Sequence, residues 1–148
     1  MQIRKITERS CFACKTMCVN SPCMGTPEDI SKIIDAGHGD RLMFTLWVDE
    51  KTGNPMPAIA PVKGPKGCVF QNQEGLCDLH GSGLKPTEGK LAIHSMLDGG
   101  LRRTVGYTWI SEEGIAVFEK LGVQDVDELK KVIREMIPFL KPGRIVAL

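Results

Sequence analysis

The chain has 148 residues, 42% hydrophobic and 25% charged, with a formal net charge of +1 at pH 7. A chain of this size and composition is expected to form one soluble domain, residues 1–148, that buries about two-thirds of its unfolded surface. Near-zero charge gives no global attraction to nucleic acid or anionic lipid, and no apolar run approaches the roughly 20 residues of a membrane span, so neither is an expected partner.

The first ten residues, MQIRKITERS, carry charged and polar groups where a secretory leader needs an apolar run, so a cytoplasmic location is expected. Four of the six cysteines follow at once, as Cys11, Cys14, Cys18 and Cys23. In a reducing compartment such a cluster points to metal ligation rather than to disulfides. Cys11 and Cys14 can aim two thiolates at one ion from a single turn, and Cys18 is close enough to add a third. Cys23 stands just before a predicted helix, where it reads either as a further ligand or as a reactive thiol.

That helix begins after Thr26, a capping residue, with Pro27 suited to the first turn and Glu28 and Asp29 complementing the dipole. It is expected to run to about Ala36 with Ile30, Ile33 and Ile34 on one face, and to stop at Gly37. Met43 to Val48 reads as a strand, followed by a turn and by Met56 to Val62 as the returning arm of a hairpin. Pro55, Pro57, Pro61 and Pro65 predict that this arm is irregular or an edge strand. A second hairpin is expected from Gly67–Phe70 and Leu76–His80, with Cys68 and Cys77 near its two arms.

Residues 88–97 read as a short helix and Thr104–Ile110 as a strand. Ser111 opens a helix bearing Ile115, Phe118 and Leu121 that Gly122 ends. Asp125 and Glu128 predict a capping box for a last helix lined by Val126, Leu129, Ile133, Met136, Ile137 and Leu140, with Lys131 spaced to meet Asp127 and Glu135. The fold class expected is α+β: a small irregular domain with β-hairpins, a cysteine metal centre over residues 11–94, and a helix pair over 111–140 that closes the core.

The stretch CFACKTMC resembles the motif Cys-x-x-Cys-x-x-Cys-Cys of the cysteine-cluster proteins described as zinc- or iron-chelating, a domain type also carried by flagellin lysine methylases. Cys11, Cys14 and Cys18 match its first, second and fourth cysteines, and Met17 stands at the third. TPEDI, from Thr26 to Ile30, is similar to the helix that follows in that family. CVFQNQEGLCDLH resembles its second element and places Cys68, Cys77 and His80. Where the family has Arg-Pro-x-x-Cys, this chain has Lys85-Pro86-Thr87-Glu88-Gly89.

The resemblance raises Cys68 and Cys77 above ordinary core thiols. The metal ligands expected are therefore Cys11, Cys14, Cys18, Cys23, Cys68, Cys77 and His80. Thiolate ligands suit zinc or an iron–sulfur cluster equally. The resemblance implies the cluster, of the 4Fe-4S type, because methylases bearing this domain are associated with one. The function expected is electron transfer or redox sensing. The alternatives are a zinc-stapled module that binds a protein partner and an accessory domain related to protein lysine methylation, although no glycine fingerprint for a nucleotide-derived methyl donor is present. His38 and His94 read as surface or core residues, Arg102 and Arg103 as a solvated basic pair, and Glu88 as a carboxylate without an acid–base partner.

Overall fold

The computed structural model describes residues 22–49, 51–65, 67–73, 77–79, 81–88 and 99–139. Their arrangement is α+β. Helix α1 (Pro27–Ile33) starts on a complete capping box: the Thr26 hydroxyl accepts from the Asp29 N–H (3.2 Å), and the Asp29 carboxylate accepts from the Thr26 N–H (3.0 Å). Its Ile30 and Ile33 are fully buried. A widened turn, Ile34–His38, follows, and Gly37 takes the positive φ of 92° that ends the helical run.

Strands β1 (Leu42–Val48) and β2 (Pro55–Pro61) form the predicted hairpin, paired antiparallel from Leu42 opposite Pro61 to Val48 opposite Pro55. β2 is regular and, in a two-stranded sheet, an edge strand as expected of a proline-bearing arm; the register explains how it keeps its ladder. The Val62 N–H donates to the Arg41 carbonyl (2.9 Å) and the Asp49 N–H to the Asn54 carbonyl (3.0 Å), so the even-numbered positions of β2 are the hydrogen-bonded ones. Pro55, Pro57 and Pro61 all fall on odd positions, and their missing N–H groups face away from β1.

A two-residue ladder of β3 (Lys63–Gly64) and β4 (Gly67–Cys68) comes next. Gln71 then bridges Cys77, and the Asp78 N–H donates to the Phe70 carbonyl (2.7 Å), which closes the second predicted hairpin. The predicted helix over 88–97 lies, apart from its first residue, outside the described residues.

The segment expected as a strand at 104–110 is instead the end of helix α2 (Gly99–Tyr107) and the turn after it. Its valine, tyrosine and tryptophan suit a strand locally, but Val105, Tyr107, Trp109 and Ile110 enter the core from the helix and turn. Helix α3 (Glu112–Leu121) opens on the Ser111 hydroxyl, which accepts from the Gly114 N–H (3.1 Å), and ends at Gly122 with φ 76°. Helix α4 (Val126–Met136) lacks the predicted capping box: Asp125 has a left-handed backbone (φ 55°), whereas a side chain caps from an extended one. Lys130 rather than Lys131 makes the ion pairs, to Glu119 of α3 (2.6 Å) and to Asp127 (3.6 Å).

One buried cluster joins these pieces, with Trp109, Tyr107, Phe70 and Phe118 as its largest members and Ile30, Ile33, Met56, Ile59 and Ile133 filling between them. The Trp109 ring lies 5.1 Å from Phe118, and its Nε1–H donates to the Gly25 carbonyl (2.9 Å), tying the turn before α3 to the segment before α1.

Candidate metal centre

Of the predicted ligands, Cys23, Cys68 and Cys77 lie among the described residues. Cys11, Cys14, Cys18 and His80 lie outside them. Cys23 and Cys68 are buried in the same core cluster, and Cys77 is half-buried and packs against it. Cys68 ends β4, its carbonyl accepts from the Gln71 N–H (2.9 Å), and Gln71 in turn sits opposite Cys77, so one turn sets both thiols of the hairpin. Among the described residues, no group of three or more histidine, cysteine and carboxylate side chains is placed to hold a metal ion. A full ligand set would have to draw on residues 11–18 or on His80.

The backbone around Cys23 is held on both sides by one ion pair. The Arg102 guanidinium meets the Glu88 carboxylate through Nε (2.9 Å) and Nη2 (2.6 Å) in a fork geometry. Arg102 Nη2 also donates to the Pro22 carbonyl (3.2 Å), one residue before Cys23. One residue after it, the Met24 N–H donates to Glu88 Oε1 (3.2 Å), and the Met24 carbonyl accepts from the Glu88 N–H (3.0 Å). Hydrogen bonding to Glu88 raises the Arg102 pKa; burial opposes it, while the charge of Glu88 and, least, that of Cys23 add to the rise. Arg102 is therefore a fixed positive charge close to Cys23.

Asp29 adds a further tie, because the carboxylate that completes the α1 capping box also accepts from the Thr87 N–H (2.9 Å) and hydroxyl. The segment carrying Glu88 is thereby fixed to the start of α1.

Arg103, the next residue on α2, serves a second buried carboxylate. Asp49, 2% exposed, accepts from Arg103 Nε (3.2 Å), the Tyr107 hydroxyl (3.0 Å), the Thr52 hydroxyl (3.0 Å) and the Lys51 N–H (3.1 Å). Burial pushes its pKa up, but the Lys51 amide, the two hydroxyls and the Arg103 charge outweigh it and hold the carboxyl below its ordinary value. The predicted solvated pair Arg102 and Arg103 is thus two structural cations, and Glu88 is a buried partner of one of them. Neither pair was legible in the sequence, because the partners lie 14 and 54 positions apart and nothing local couples them; the two adjacent arginines were the local signal.

Among the described residues, no helix is long and apolar enough to cross a membrane. Comparison with protein-family models, with curated proteins and with solved structures found no match to this chain.

Proposed function

We propose that the chain is a metal-binding cysteine-cluster protein acting in the cytoplasm, in which Cys11, Cys14 and Cys18 join Cys23 and the Cys68/Cys77 hairpin around one centre. The observation that supports it most is that Cys23 shares a buried cluster with Cys68 and, at its edge, Cys77. Cys18 stands five positions before Cys23, a chain reach of at most about 18 Å, which would let it join this cluster, with Cys14 four positions further upstream. Sulfur donors with an arginine held close by suit an anionic metal–thiolate centre, and soft thiolates select iron–sulfur clusters or zinc over hard cations. A 4Fe-4S cluster would supply one-electron redox chemistry for electron transfer or redox sensing. The Glu88–Arg102 pair would keep Cys23 in place whether or not metal is present.

The test is the visible spectrum of protein purified without oxygen, for the wild type and for Cys14→Ser. A broad visible absorption that bleaches on reduction and is lost in the variant supports the cluster. A colourless protein carrying zinc would replace it with a structural staple, and a colourless protein without metal would overturn the proposal.

A further inference from the structure

A groove of about 710 Å³ runs between the outer face of β1 and the turn that joins α3 to α4. Its apolar lining includes Phe44, Leu46, Pro57, Leu129 and Val132. The exposed large hydrophobic residues among the described ones are Met43, Phe44, Leu46 and Val48 of β1, Val132 of α4, and Phe139; all but Phe139 lie in this groove or at the end of its strand. Apolar surface gathered in this way marks an interaction site more often than scattered exposure does. Leu46 is 60% exposed and Phe44 39%, so the groove is an open trough. A small molecule needs a site that buries most of its surface, which this one does not offer.

The charge at the rim decides what fits. Asp125 and Glu128 line the groove, and among the described residues no lysine, arginine or histidine does. Neither carboxylate forms an ion pair or a side-chain hydrogen bond among the described residues, and Asp125 does not cap its own helix. We propose that this groove docks a basic amphipathic segment of a protein partner, with apolar side chains on Leu46 and Val132 and lysine or arginine beside Asp125 and Glu128. A second copy of the chain fits less well, because a two-fold contact over the groove would bring four carboxylates together with no described cation lining it.

The experiment is fluorescence anisotropy of the full chain with a labelled amphipathic peptide of leucine and lysine, and with its leucine and glutamate counterpart as control. Saturable binding of the lysine peptide is expected, weakened about tenfold by Leu46→Glu and by the double variant Asp125→Asn/Glu128→Gln, with no binding of the glutamate peptide. Circular dichroism of the variants establishes that they are folded; Leu46 is exposed and both acidic changes are nearly isosteric. Equal binding of the two peptides, or binding unchanged in both variants, would overturn the proposal. So would a concentration-dependent dimer in sedimentation that Leu46→Glu abolishes, since the occupant would then be a second copy.

Discussion

Asp49 and Glu88 are both buried carboxylates, yet they depend on their arginines to different degrees. Asp49 collects donors from a backbone amide, two hydroxyls and Arg103, so Arg103 is one contributor among several. Glu88 has a forked pair with Arg102 and the Met24 amide. Arg102→Ala should therefore cost about 3 kcal/mol, near the lower end for a broken buried pair because the guanidinium is partly exposed, and Arg103→Ala about 1 kcal/mol, measured by urea denaturation. The pH dependence has a defined sign. Asp49 is held below its ordinary value when folded, so its contribution to stability is fully present above the unfolded-state value near pH 4 and is lost as pH falls through the lower folded value. Asp49→Asn should destabilise the protein at neutral pH and flatten the fall in stability below about pH 4; an unchanged acid limb would exclude Asp49 as its source.

At the level of elements, most short-range signals hold, the capping box at Asp125 being an exception because that residue takes a left-handed backbone. The caps at Thr26 and Ser111 and the stop at Gly122 rest on contacts within a few residues, and the β1–β2 hairpin on pairing across one short turn, so the sequence shows them directly. Helix α2 forms against its strand-like residues because distant partners hold it: Arg102 and Arg103 reach Glu88 and Asp49, Tyr107 donates to Asp49, and Gly106 lets the Trp47 ring approach to where a Cβ would lie 2.3 Å from Cζ2. Tertiary contacts override local preference there. Two glycines separate tolerable from intolerable crowding. A Cβ at Gly114 would lie 2.2 Å from the Trp109 carbonyl oxygen, which belongs to backbone, whereas at Gly106 it meets a side-chain ring. Gly114→Ala should cost about 2 kcal/mol or more and Gly106→Ala less, once the gain in helix propensity of each is included, as read from thermal midpoints.

Across the whole molecule, the cysteine spacing names candidate ligands, while the Glu88–Arg102 clamp on the backbone beside Cys23 was not legible, because its partners stand 14 positions apart in separate segments. In the proposed account the metal ties residues 11–94 together, and α3 and α4 pack on each other without it. Chelation should then raise amide hydrogen exchange in β4 and the Cys68/Cys77 hairpin before it does so in α3 and α4; loss of protection confined to the two helices would contradict that order. The most direct test of the central claim is the iron and zinc content, per chain, of protein purified without oxygen and without added metal. Near-stoichiometric metal is expected, at about four iron atoms per chain for the cubane cluster. Protein with neither iron nor zinc would contradict it.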